Sequence, residues 1–287
     1  MSATFLLTRA NDALNINPPL GVNEALSVHG SDFLWAVTAI HIVSFLGLLV
    51  FCFTRPESDR MFHYLFTCAL LAGSVSYYAQ ASDLGWSAVQ QVGDGGVTRQ
   101  IFWPKYVNWA ISFPSVALAL GLLSDVSWTT IFTNIFITLL WVVTYLVGAY
   151  ATTTYKWGFF AFGTFAWVIL AMSTLNESRE AAQRMGVARD YMVLAAIANL
   201  AWILYPVAWG LSDGGNTINV TAGFIFFGIL DILLVPVLSF AFVLLSRKWS
   251  YAQLNINLSE SRSGWHADAA GGNKTTRDVS TPDASNV

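Results

Sequence analysis

Apolar residues along this chain gather into seven runs separated by short polar intervals: residues 33–53, 61–81, 101–123, 128–149, 157–175, 191–209 and 220–245. Each is close to the roughly 20 residues a helix needs to cross the hydrocarbon core of a bilayer. The runs are continuously apolar, without the alternation that marks barrel strands, and lipid admits only elements that satisfy their own backbone hydrogen bonds. The pattern predicts an all-α fold, an integral membrane bundle of seven transmembrane helices.

Composition agrees, with 55% hydrophobic and 11% charged residues, and it divides the chain into three parts. Residues 1–30 read as an extracellular N-terminal segment without the basic, apolar and small-residue sequence of a removable signal peptide. Residues 31–249 form the transmembrane domain. Residues 250–287, rich in Ser, Thr, Asn, Gly and Asp, cannot bury enough surface to offset their ordering entropy and are expected to be a disordered cytoplasmic tail, with Ser259, Ser261, Ser263, Thr275, Thr276, Ser280 and Thr281 open to phosphorylation. Basic residues between spans set the orientation: Arg55, Arg60, Arg179, Arg184, Arg189, Arg247 and Lys248 fall on one side, and Arg9, Arg99 and Lys156 on the other. The positive-inside rule then places the N-terminus outside and the C-terminus in the cytosol.

Several kinds of chemistry are disfavoured. Cys52 and Cys68 lie toward the expected cytoplasmic half and make no disulfide framework, and Cys52 reads as a buried thiol in preference to a palmitoylation site. His41 and His63 have no metal-ligand spacing, so no metal is expected. Nucleophile elbow, P-loop, Rossmann fingerprint and paired catalytic carboxylates are all missing, which argues against an enzyme. A net charge of −3 without a basic cluster argues against nucleic acid. Asn219-Val220-Thr221 is a glycosylation sequon too close to the membrane for ready modification. Gly93-Asp94-Gly95-Gly96 reads as a hairpin turn.

The seventh run contains a lone carboxylate, Asp231, and one turn later Val235, which shares its helix face. A carboxylate at the centre of a membrane helix costs about 2.5–3.5 kcal/mol on insertion scales and usually has a partner. Lys105, in the third run, is the expected partner. Two roles stay open for Asp231, a structural ion pair or a proton or ion site.

Together these positions resemble a family. Lys105-Tyr106-Val107-Asn108-Trp109 with Ser112 and Pro114, then Trp202, Tyr205, Pro206 and Trp209, then Phe227-Gly228-Ile229-Leu230-Asp231 make the chain similar to the microbial (type I) rhodopsins. The resemblance implies a retinal pocket lined by Trp109, Phe160, Trp202, Tyr205, Trp209 and Tyr78, with Tyr205 and Tyr78 at polar positions that add hydrogen bonds to Asp231. It also implies that Val235 stands where the retinal-binding lysine would be, Asn108 where the primary proton acceptor would be, Ala119 at the proton donor, and Lys105 at the arginine of the third helix. Only an amine condenses with an aldehyde, so no covalent retinal is expected and the cofactor expectation is none.

Within that superfamily the strings Asn17-Pro18-Pro19, Gly30-Ser31-Asp32-Phe33-Leu34-Trp35, Ala81-Ser82-Asp83-Leu84-Gly85-Trp86, Arg99-Gln100-Ile101-Phe102, Thr154-Tyr155-Lys156-Trp157-Gly158 and Leu211-Ser212-Asp213-Gly214-Gly215-Asn216 resemble the fungal opsin-related proteins and the plasma-membrane heat-shock protein of about 30 kDa, a subfamily that lacks the lysine. That resemblance implies a non-photoactive stress protein of the plasma membrane. Its implied partners are lipid, the proton-pumping ATPase or other membrane proteins, and further copies of itself. The alternatives are a passive proton or ion pathway through Asp231 and Lys105, with Asp83 and Asp213, or a sensor with a non-covalent apolar ligand. The room beside Val235 is expected either to be refilled by Phe224, Phe227 and Leu234 or to hold a lipid-like or sterol-like molecule.

Overall fold

In the computed structural model the described residues are 11–56, 59–93, 95–250 and Leu254. The expected disorder and phosphorylation of the tail, and the first ten residues, therefore lie outside the described residues. Seven long helices run through the rest: α1 Val28–Phe53, α2 Met61–Ala81, α3 Trp103–Ser124, α4 Trp128–Tyr150, α5 Lys156–Arg184, α6 Ala188–Gly214 and α7 Val220–Lys248. Six have the length and hydropathy to cross a membrane. The seventh, α2, matches them in length, and its polar side chains, among them His63, Ser74, Ser76, Tyr77 and Gln80, are buried against neighbouring helices. Helices consecutive in sequence pack side by side and α1 packs on α7, which closes the ring.

Local chemistry sets the ends. Ser27, Ser127 and Asn219 cap α1, α4 and α7 by accepting the backbone N–H groups of Gly30, Thr130 and Ala222. Asp125, in the left-handed region at φ 55°, ends α3. Three helices change pitch along their length: α5 over Ser173–Glu177, α6 over Gly210–Gly214 and α7 over Leu233–Val237 are π-helical. In α7 the wider turn contains Pro236, which has no N–H to give an α-helical bond. These turns let α5 and α6 continue beyond the apolar windows of the sequence, to Arg184 and Gly214.

The helical bundle carries one small sheet. β1 Trp86–Gln90 pairs antiparallel with β2 Thr98–Phe102, Trp86 opposite Phe102 and Gln90 opposite Thr98. Gly93, Gly95 and Gly96 all take positive φ, as the expected turn demands, while Asp94 lies outside the described residues. The hairpin is tied to the bundle by buried polar groups. Arg99 pairs with Glu24 at 3.2 Å and donates to Asn216 Oδ1 and the Ile218 carbonyl at 2.7 Å each. Gln100 accepts from the Leu26 N–H at 2.8 Å and donates to Asp83 at 2.6 Å. The outward faces of α1, α4 and α5 are apolar: Val43, Phe136, Phe162 and Phe165 are 65–70% exposed, as lipid-facing side chains are.

Candidate functional site

Asp231 sits in α7 just before the π-turn, 1% exposed, and every acceptor site of its carboxylate is taken. Oδ1 accepts from Tyr205 Oη at 2.5 Å and from Trp109 Nε1 at 3.1 Å. Oδ2 accepts from Tyr77 Oη at 2.5 Å and from Asn108 Nδ2 at 3.1 Å. The donors come from α2, α3 and α6, so one carboxylate fastens three helices to a fourth. All four donors are neutral, and the expected lysine is not among them.

Lys105 instead forms its ion pair with Asp213, in the π-turn of α6. Asp213 Oδ2 also accepts from Tyr106 Oη at 2.6 Å, and Arg99 Nε stands 4.0 Å from Oδ1. Trp209 Nε1 donates to Tyr106 Oη at 3.0 Å, extending the cluster into the aromatic core. The Lys105 ammonium lies 4.6 Å from the centre of the Phe227 ring and 5.8 Å from that of Trp109, whose Nε1 donates to Asp231. The structure thus corrects the expected Lys105–Asp231 pair to two separate buried centres, one ionic at the hairpin end and one of a carboxylate with neutral donors deeper in the bundle.

Tyr78 is the second correction. It is 53% exposed on the outer face of α2, edge-on to Trp35 at 5.5 Å, and its neighbour Tyr77 is the inward tyrosine. Trp109, Trp202, Tyr205 and Trp209 are buried as expected, and Phe160 is half-buried. They divide into two clusters. Phe160 stacks on Trp209 at 5.3 Å and on Tyr145 at 5.5 Å. The other group is organised by Phe113, 5.9 Å from Trp109, 5.0 Å from Trp141, 6.3 Å from Trp202 and 4.8 Å from Tyr205.

Of the expected filling residues, Phe227 reaches the centre, tilted against Trp109 at 4.9 Å, and Leu234 is buried beside Val235 in the π-turn. Phe224 lies toward the hairpin, edge-on to Phe102 at 4.9 Å. Ala119 is buried in α3. Sequence reasoning missed Tyr77, Tyr106, Phe113, Tyr145 and Glu24. The two inward tyrosines of α2 and α3 carried a usable signal, since each is adjacent to, or three residues from, a residue already singled out.

His41 and His63 are buried on α1 and α2, and no group of three or more His, Cys, Asp or Glu side chains suited to a metal occurs among the described residues. Cys52 is buried and Cys68 exposed, both unbridged. Near the hairpin, burial pushes Asp83 from its ordinary 3.8 up to about 6, against the opposing pull of the Gln100 amide.

A ring of seven membrane helices that buries a carboxylate on its last helix among tryptophans and tyrosines is the architecture of an opsin. The sequence profile of the bacteriorhodopsin-like proteins matches residues 31–249, and the chain belongs to that family. It is 38% identical to protein FDD123 of Trametes versicolor, over 86% of this chain and 88% of that protein. It is 32% identical to the opsin-like protein carO of Fusarium fujikuroi, over 99% and 98%. To the 30 kDa heat shock protein of Saccharomyces cerevisiae it is 29% identical, over 77% and 74%. Among solved structures, the light-driven proton pump Coccomyxa subellipsoidea rhodopsin superposes with a TM-score of 0.75 at 26% identity, covering 77% of this chain and 98% of that one. The light-driven proton pump LR (Mac) from Leptosphaeria maculans gives 0.74 at 25% identity, covering 82% and 99%.

Proposed function

We propose that this chain is a non-photoactive opsin-related stress protein of the plasma membrane, without enzymatic activity, that acts by contact with lipid and with other membrane proteins, the proton-pumping ATPase foremost. The observation that carries the reading is Val235. It lies one turn from Asp231 on the helix that must supply the amine, and valine forms no Schiff base. The aromatic packing gives the same reading a second support. The Phe113 ring packs 5.9 Å from Trp109, 6.3 Å from Trp202 and 4.8 Å from Tyr205, and Trp109 and Tyr205 meet directly at 5.2 Å, which supports a filled interior over an open pocket.

Asn108 and Ala119 support the loss of pumping, because neither ionises, and Asp231 has its acceptor sites filled by fixed donors. The likeness to the 30 kDa heat shock protein supports the stress role, and the grouping of basic residues at the end opposite the hairpin supports an N-terminus outside and a cytoplasmic tail.

Purified protein incubated with retinal and then borohydride is expected to stay colourless and to carry no covalent adduct. A visible protonated-Schiff-base band, or a reduced adduct on any of its lysines, refutes the reading. Affinity capture from heat-stressed membranes is expected to recover the proton-pumping ATPase, and its absence from the captured proteins counts against that partner. Patch-clamp recording should find no current that Asp231→Asn removes; such a current establishes the passive-pathway alternative.

A further inference from the structure

His41, in α1, is buried, and its Nδ1 lies 3.0 Å from the carbonyl oxygen of Val37. A carbonyl can only accept, so Nδ1 carries the proton, and Nε2 of the neutral ring is left as an acceptor. That nitrogen has no hydrogen-bond partner among the described residues. On α3, Asn108 uses Nδ2 to donate to Asp231, which leaves Oδ1 as a second buried acceptor with no partner among the described residues. Both atoms face the same side of α2 at Gly73: a β-carbon built on that glycine would lie 2.9 Å from His41 Nε2 and 3.4 Å from Asn108 Oδ1.

Two acceptors cannot satisfy one another, and buried acceptors are almost always paired with protein or with ordered water. An apolar ligand offers them nothing. A hard cation would need several more oxygen ligands, and the nearest carboxylate, Asp231, already has its acceptor sites filled. We propose that a water molecule is bound between His41 and Asn108 beside Gly73, donating one hydrogen to Nε2 and the other to Oδ1. Glycine at 73 lets the His41 ring come this close to α2, since a β-carbon there would clash with its Cδ2.

The water extends the Asp231 centre to α1, the one helix among the first three that gives it no direct donor. It also tightens the centre, because donation to Oδ1 polarises the Asn108 amide and strengthens its N–H as a donor to Asp231. The His41 ring packs on Tyr77 at 5.0 Å, so the same histidine steadies both donors to Oδ2. The inference stands apart from the proposed function, since it holds whether or not the protein responds to light.

Water-edited solid-state NMR on the full-length protein in lipid bilayers tests it, with exposed His29 as the control that magnetisation transfer works. The expected result is transfer from water to the side chains of both His41 and Asn108, with His41 as the neutral Nδ1–H tautomer. Transfer to His29 with none to His41 or Asn108 overturns the proposal, as does an Nε2–H tautomer. In His41→Phe, whose helix content is checked by circular dichroism, transfer to Asn108 should fall at least severalfold, and unchanged transfer overturns the bridge. Should that variant not fold, the wild-type tautomer and transfer decide by themselves.

Discussion

Replacing Lys105 by methionine keeps the length of the side chain and removes its charge, leaving Asp213 buried with Tyr106 and Arg99 as its remaining partners. Breaking a buried pair by deleting one member typically costs about 3–5 kcal/mol. Because Tyr106 still donates at 2.6 Å and the Arg99 guanidinium stands 4.0 Å away, the lower end, about 3 kcal/mol, is expected here. Asp213→Asn should cost a similar amount, since it leaves the ammonium facing a neutral amide and the Phe227 ring.

The double variant then loses the pair as a unit. Its cost should fall short of the sum of the singles by about 2 kcal/mol, within the usual range for groups in direct contact. The same cycle between Lys105→Met and Asp231→Asn should give a smaller coupling, under about 1 kcal/mol, because these two groups meet through the Trp109 ring and not as an ion pair. Unfolding in mixed micelles with increasing SDS measures all the variants. A large Lys105–Asp231 coupling, with a small one to Asp213, would refute the separation of the two centres.

Further outcomes follow from the same contacts. Tyr77→Phe and Tyr205→Phe each delete one hydrogen bond to Asp231 and should destabilise the protein by about 1.5 kcal/mol, near the upper end for bonds between membrane helices, while Tyr78→Phe, at the outer surface, should fall within about 0.5 kcal/mol of the parent in the same assay. Asp83, raised in the folded protein from 3.8 to about 6, binds its proton more tightly folded than unfolded, so its contribution to stability declines as pH rises from about 4 to about 6 and is level above. Asp83→Asn keeps a residue type that tolerates the φ of 55° and keeps the oxygen that accepts from Gln100, so it should flatten that part of the pH profile of the melting temperature; an unchanged slope removes Asp83 as its source.

Much of the architecture was legible because lipid imposes one-dimensional rules. Apolar length alone located the seven helices, and α2 begins and ends where its apolar window does, at Met61 and Ala81. The glycines at 93, 95 and 96 announced the turn by their backbone freedom. Asp231 and Val235 stood out because a charge in an apolar segment is rare and because four residues on a helix return to one face. The limits have physical causes as well. In a soluble helix the polar face marks the outside, whereas here the outside is lipid and as apolar as the core, so rotation about the helix axis leaves almost no trace in the pattern. Tyr77 and Tyr78 are neighbours about 100° apart on α2, and only the packing of α2 against α3 and α7 turned the first inward.

The chain alone therefore determines that seven helices cross a membrane, that a carboxylate is buried in the last of them, and that Val235 shares its helix face, since each follows from residue type and helical spacing. Which groups meet was decided by the tertiary fold. The π-turn that puts Asp213 beside Lys105, the pairing of Asp231 with neutral donors from three other helices, and the placing of Phe113 among three tryptophans and a tyrosine all depend on how helices rotate and approach one another. Those distances are set by packing between segments far apart in sequence, which no local pattern encodes.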